Sequence, residues 1–153
     1  MHKYEARITW SRNAAKFLGQ QYSRGHEWSF DGGIKIPASA SPQVVRAPLS
    51  VAEAIDPEEA LVAAASSCHM LFFLSLASKQ GFVVDSYTDE PFGMVEKNPQ
   101  GKFAVTRITL RPKIQFSGEK LPSTSELSAL HHAAHEECYI ANSIKSEVVV
   151  EVG

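Results

Sequence analysis

The sequence predicts an α+β fold with antiparallel sheets, and three observations carry that expectation. Short segments of alternating polar and apolar residues recur from the beginning of the chain to its end, as half-buried strands do. Two longer stretches open with helix-start signals, at Asp56-Pro57 and at Ser123. The resulting order of strands, helix, strands, helix and strand lacks the strict alternation that builds a parallel sheet. The 153 residues suit one domain, expected over 1–153, with strands and a loop in 1–50 and a helix–sheet core in 51–153.

Tyr4, Ala6, Ile8 and Trp10 alternate with Lys3, Glu5, Arg7 and Thr9 and predict a first, half-buried strand. "NAAKFLGQQY" fits either a short helix or an irregular connection. "HEWSF-DGG-IKI" predicts a hairpin, with Asp31-Gly32-Gly33 supplying the positive φ of a tight turn. "PASASPQVVRAPLS" holds three prolines and predicts a long exposed loop. Asp56 then caps a helix with Pro57 at its first position and Glu59 in its first turn, and Gly81 stops it. "FVVDSYTDE" and "GMVEK" follow as strands, with "NPQG" as a turn. "KFAVTRITLRPKIQF" alternates long enough for one strand bent at Pro112. Ser123 and Glu126 form a capping box for a second helix running to about Cys138, and "IKSEVVVEV" closes the chain as a strand.

Composition excludes several functions. Apolar residues make up 44% and charged residues 21%, an ordinary globular balance. A net charge of −2 gives no basic footprint for nucleic acid or an anionic membrane. "MHKYEARITW" has no apolar leader segment, and two cysteines make no secreted disulfide scaffold, so a reducing cytoplasm is the expected setting. Neither a GxGxxG sequence nor a P-loop occurs, and no cofactor is expected.

The first helix poses the functional question. From Ala60 to Ala77 it carries no Asp, Glu, Lys or Arg, yet Ser66, Ser67, His69 and Ser75 make it a poor membrane span. A helix apolar all round is buried in protein. One sheet covers one side of it, and a second copy is the simplest cover for the other, which predicts a homodimer. Glu58 and Cys68 are ten positions apart, about 15 Å along the axis, and cannot touch within one chain. Two antiparallel copies crossing near Ala63, Ala64 and Ala65 would bring Glu58 of one to Cys68 of the other. In the second helix Leu127, Leu130, Ala134 and Cys138 share one stripe, so Cys138 could meet Cys68 if the helices pack together.

Each of these residues also has a plainer reading. A lone helical cysteine is usually a small buried hydrophobe, and a reactive thiolate needs a cation or a helix N-terminus beside it. Glu58 suits a helix first turn in any case. His131, His135 and Cys138 at i, i+4, i+7 could ligate zinc from one helix face, but four ligands and a second cluster are missing, so no metal is expected and surface histidines are the simpler reading. Trp10, Trp28, Phe72 and Phe73 read as core.

The stretch "DPEEALVAAASSCHM" resembles the cysteine-bearing helix of the OsmC/Ohr family (osmotically inducible protein C and organic hydroperoxide resistance protein), with a glutamate directly after proline and ten residues before the cysteine. A second cysteine late in the next long helix and followed by a strand, "HEECYIANSIKSEVVVEV", extends the resemblance, and the order of elements follows it over nearly the whole chain. The resemblance implies an intertwined homodimer with two sites at the subunit interface. It further implies that Cys68 is the peroxidatic thiolate attacking an organic hydroperoxide, that Cys138 is the resolving thiol, and that Glu58 pairs with an arginine beside the thiolate. "YSRGHEW" offers Arg24 for that arginine and "VVRAP" offers Arg46; Arg24 is preferred because it directly precedes a strand. A dithiol reductant, of the lipoylated-protein kind, is implied as partner. Two positions depart from the family pattern: Tyr139 stands where proline often follows the second cysteine, and His69 stands beside Cys68.

These features predict a thiol peroxidase for organic hydroperoxides, in an apolar pocket lined by residues such as Met70, Phe72 and Phe73. The alternatives are a non-enzymatic small-molecule-binding or redox-sensing dimer, and a metal-binding protein using the His131/His135/Cys138 face.

Overall fold

The computed structural model describes residues 1–152 and divides the chain into two compact units, Met1–Ala60 and the stretch from Leu61 onward. In the first unit β1 (Ala6–Thr9), β2 (His26–Phe30) and β3 (Lys35–Ala38) form an antiparallel sheet in the order β1-β2-β3. The β2–β3 hairpin turns through Gly33 at φ 94°, a backbone open to glycine and strained for other residues. All four β1 residues are exposed, so this strand is not half-buried within one chain.

"NAAKFLGQQY" settles as turns with no helix, bent by positive φ at Asn13, Ala14 and Gln20. The loop after β3 folds back onto it: Ser39 N–H donates to Ile55 O (2.9 Å), Ile55 N–H to Pro37 O (3.1 Å) and Val51 N–H to Ser39 Oγ (2.9 Å). Ser39 and Ser50 are buried, so the loop is exposed only between these anchors.

Helix α1 (Pro57–Lys79) starts as its signals predict. Asp56 Oδ1 accepts from Glu59 N–H at 2.8 Å, satisfying one free donor of the first turn. Burial acts to raise the Asp56 carboxyl, but hydrogen bonds from Glu59 and Glu58 outweigh it and hold the pKa below its ordinary value. At the other end Phe82 N–H donates to Ala77 O and Gly81 N–H to Ser78 O, both at 3.0 Å, with Gly81 at φ 85°. This is the Schellman closure that a glycine stop signals.

In the second unit β4 (Val83–Thr88) pairs antiparallel with β7 (Lys113–Ser117), while β5 (Phe92–Lys97), β6 (Phe103–Leu110) and β8 (Glu147–Val150) form a sheet in the order β5-β6-β8. The segment expected to be one long strand is therefore two, in different sheets. Pro112 has no N–H to continue the ladder, and the chain changes sheet there. β8 lies parallel to β6, an exception to the otherwise antiparallel pairing.

Helix α2 (Thr124–Glu137) opens on the predicted capping box, with Glu126 N–H donating to Ser123 Oγ and Ser123 N–H to Glu126 Oε1. It ends one residue short of Cys138, whose backbone is extended. Cys138 is therefore not a member of the α2 stripe but the joint to a short helix, α3 (Tyr139–Ser143), that the sequence did not reveal.

Two apolar clusters fill this unit. Phe73, Ala77, Phe82, Leu130 and Ala134 join α1 to α2 beside the β4–β7 ribbon, and Ala65, Ile108 and Leu110 join α1 to the three-stranded sheet. Gly93 on β5 permits that second contact, since a Cβ there would stand 2.7 Å from Val62 Cγ2. The buried residues of α1 are Ala65, His69, Phe73 and Ala77, one i, i+4 stripe. The rest of this apolar helix is half-buried or exposed, Leu71 to 60%.

Candidate active site

The two cysteines of the chain meet. Cys138 is buried, Cys68 is half-buried on α1, both are free, and the two lie close enough for Cys68 to perturb the Cys138 thiol. Burial first, and then the neighbouring Cys68 thiol, push the Cys138 thiol up from its ordinary pKa. Its sulfur also accepts from Ala141 N–H at 3.4 Å and so caps α3. Phe72, one turn along from Cys68, meets Tyr139 edge-on at 5.3 Å between centroids, which puts an aromatic contact beside the thiols.

Beneath this pair lies an arrangement that the sequence reading missed. His69 follows Cys68 and faces inward, 1% exposed; His131 on α2 is 3% exposed. His69 Nε2 and His131 Nδ1 are 3.0 Å apart and hydrogen-bonded. Burial, with the neighbouring His131 and His135, brings His69 down to about pKa 4. Burial likewise brings His131 down to about 4, although Asp89 opposes it. Two neutral imidazoles can share one proton in such a contact, one donating and one accepting. The missed signal was positional: His69 stands in the Ala65–Phe73–Ala77 stripe, and His131 directly follows the core residue Leu130.

The proposed zinc face is not assembled. His131 turns toward His69, Cys138 leaves the helix as its cap, and among the described residues no three His, Cys, Asp or Glu side chains gather to hold an ion.

Of the residues named for the pocket, Phe73 is fully buried in the core between Tyr87, Phe116 and His131. Met70 lines a depression of about 300 Å³ with Ala63, Ser66, Ser67, Tyr87, Asp89 and Pro91. Its polar wall is built by Asp89, which accepts from Ser66 Oγ at 2.5 Å and from Arg111 N–H at 2.6 Å.

Arg24 and Glu58 belong to the first unit. Glu58 is half-buried in the first turn of α1, ten residues before Cys68 on the same helix. Arg24 is held in place: its guanidinium donates to the carbonyls of Gln20 (3.0 Å) and Tyr22 and to Gln20 Oε1 (3.1 Å), and lies 3.9 Å over the Tyr22 ring. It lines an apolar recess of about 500 Å³ with Ile8, Trp10, Phe17, Tyr22 and His26 among others. Trp10, expected in the core, is 41% exposed and packs with Phe17 and Tyr22 at the edge of this recess. Arg46, the alternative arginine, is exposed.

Residues 50–153 match the family of OsmC-like proteins. The chain is 54% identical to an OsmC-like protein of unknown function from Vibrio cholerae, with all of both chains covered and a TM-score of 0.97. It shares its fold with the organic hydroperoxide resistance protein OhrB of Bacillus subtilis, at 17% identity, 99% and 98% coverage of the two chains and a TM-score of 0.71. An organic hydroperoxide resistance protein OsmC from Legionella pneumophila is similar at 17% identity, 99% and 95% coverage and a TM-score of 0.66. No curated protein matches. The family match and the end-to-end likeness to the Vibrio protein place this chain in the OsmC-like protein family.

Proposed function

We propose that the protein is a cysteine-based peroxidase for organic hydroperoxides. The observation that carries this reading is the meeting of Cys68 and Cys138, two free thiols from distant parts of the chain. Their environments divide the labour. Cys68 is the more accessible and suits attack on an incoming peroxide, while Cys138, buried and held protonated, suits the second step.

In the first step the Cys68 thiolate takes the outer oxygen of the hydroperoxide. The O–O bond breaks, the alcohol leaves and Cys68 becomes a sulfenic acid. Cys138 then attacks that sulfur, water leaves and a disulfide forms. A dithiol reductant returns both thiols by exchange.

Arg24 is the cation assigned to the thiolate and peroxide, with Glu58 as its counter-charge. Its fixed guanidinium beside aromatic walls fits a site for a bulky apolar peroxide. The remaining apolar faces of α1 fit a homodimer in which Glu58 of one copy approaches Cys68 of the other. Two thiols that must return to the reduced state fit a cytoplasmic setting.

The test is consumption of cumene hydroperoxide and of hydrogen peroxide with dithiothreitol as reductant, wild type beside Cys68→Ser. Organic-peroxide turnover that vanishes in the variant supports the proposal; no turnover by the wild type overturns it.

A further inference from the structure

The hydrogen bond between His69 and His131 joins the two helices that lead to the two thiols. His69 is the residue after Cys68 on α1; His131 stands seven residues before Cys138, two turns up α2. Around this polar contact the packing is apolar: Phe73 lies 4.5 Å from the His131 ring, and Leu130 and Ala134 flank it from α2. The second ring nitrogen of His69, Nδ1, is buried with no hydrogen-bond partner, so the bond to His131 is the polar contact that compensates burying this ring.

An apolar contact between helices tolerates small slides, because dispersion and burial are non-directional. A buried hydrogen bond does not, because its energy falls steeply with distance and angle and the unpaired alternative is costly. The His–His contact therefore fixes the axial and rotational setting of α1 against α2. Cys138, as cap of α2 and first contact of α3, inherits that setting, and so does its distance from Cys68.

We propose that the His69–His131 hydrogen bond is a positioning element that holds Cys68 and Cys138 in register for disulfide formation. The proposal rests on the thiol-peroxidase reading for its biological use, though not for its geometry. The step it serves joins Cys138 Sγ to the sulfur of the Cys68 sulfenic acid. The S–O bond breaks, and the hydroxyl leaves as water with the Cys138 proton. The two histidines touch neither substrate nor the reacting atoms; they act through the helices.

The experiment measures the Cys68–Cys138 dithiol–disulfide equilibrium in glutathione redox buffers, where oxidised glutathione takes up the two electrons and two protons and becomes two thiols. Variants are His69→Leu, His69→Gln, His131→Leu and His131→Asn, with thermal unfolding measured in parallel. Gln and Asn carry an amide near the place of the bonded ring nitrogen; Leu carries none.

The proposal expects both Leu variants to shift the equilibrium toward the dithiol by about tenfold, close to 30 mV for a two-electron couple, with the amide variants recovering most of the loss. A merely structural role would lower the melting temperature in all four without this recovery. Equilibria unchanged in the folded Leu variants overturn the proposal. So do amide variants as defective as Leu, or a wild type that forms no Cys68–Cys138 disulfide. Should the Leu variants not fold, an amide variant that folds and keeps the wild-type equilibrium supports it, and one that folds and loses the equilibrium overturns it. A wild type without peroxide turnover but with a histidine-dependent equilibrium overturns the peroxidase reading alone.

Discussion

His69 Nε2 and His131 Nδ1 stand 3.0 Å apart, in rings whose planes lie within 7° of parallel, at 1% and 3% exposure. The burial of this pair makes folding stability depend on pH. Both rings fall from 6.5 to about 4 in the fold, chiefly by burial; His135 also lowers His69, and Asp89 pulls His131 the other way. A depressed histidine pKa means the unfolded chain binds the proton first. The stability is therefore whole above pH 6.5 and drains away as pH falls toward 4. The loss is on the order of 3 kcal/mol for the pair, less than two independent shifts would give because the rings sense one another. Urea unfolding between pH 7.5 and 4.5 reads it. The double variant His69→Leu/His131→Leu flattens that decline, and an equal decline in the variant would refute the assignment.

Glycine at position 93 is required by the approach of α1 to the three-stranded sheet. A methyl group there meets Val62 Cγ2 at 2.7 Å and Val105 Cγ1 at 3.2 Å, and both neighbours are short, stiff β-branched side chains. Gly93→Ala is expected to cost about 1–3 kcal/mol by overpacking. Adding Val62→Ala removes the nearer clash, so the pair together should be less unstable than the sum of the single variants. Strict additivity in denaturant unfolding would contradict this account.

Much of the architecture was legible because its signals are local. Asp56-Pro57, the Ser123–Glu126 box, the glycine at 81 and the 31–33 turn each act on backbone groups a few residues away, and all lie where expected. What failed depends on partners distant in sequence. Alternation continues through Pro112, so pattern alone could not show that β6 and β7 belong to different sheets. The stripe argument carried Cys138 toward α1 but assigned it to the helix when it is the cap. Histidine spacing on α2 suggested surface histidines, with a zinc face as an alternative, whereas His131 is buried and its actual partner is on α1, 62 residues away. A residue's type and its own helix face do not reveal which neighbour waits across the core.

Cys138→Ser should separate the two chemical steps. Under the proposed mechanism the variant still reacts with a first cumene hydroperoxide, but its Cys68 sulfenic acid has no thiol to condense with and is open to oxidation by a second hydroperoxide. Intact-mass measurement should then find sulfinic acid at Cys68, a gain of two oxygens, where the wild type shows loss of two hydrogens. The serine retains a hydroxyl able to accept from Ala141, so the start of α3 should survive. A Cys138→Ser protein with undiminished multiple turnover would remove Cys138 from the mechanism.

Arg24 and Arg46 offer a kinetic choice. Arg24 is anchored by Gln20 and stacked on Tyr22, whereas Arg46 is exposed. Arg24→Ala is expected to lower kcat/KM for cumene hydroperoxide by about 100-fold, as loss of a fixed cation beside a developing charge does. Arg24→Lys should recover little, because a lysine ammonium reproduces neither the planar fork nor the stacking. Arg46→Ala should stay within about threefold of wild type, a change under 1 kcal/mol. The reverse order would move the arginine role to the loop before α1.

The outer face of α1 predicts the assembly. This helix carries no charged side chain from Ala60 to Ala77, yet its buried residues form only one stripe, leaving Ala63 exposed and Leu71 60% exposed. Exposed apolar surface of this kind on a helix calls for a cover. If two copies cross antiparallel near position 63, Glu58 of each approaches Cys68 of the other, and a large charge at Ala63 blocks the crossing. Sedimentation equilibrium should give about 34 kDa for the wild type, twice the chain's 16.8 kDa. Ala63→Arg should sediment near one chain mass and lose peroxide turnover together with dimerisation, even though Cys68, Cys138 and Arg24 are intact. Mixing Glu58→Ala with Cys68→Ser chains then gives a decisive check. If each site draws on both subunits, the mixed dimer regains one complete site in two, and turnover returns from two inactive parents. If the sites are built within single chains, the mixture stays inactive.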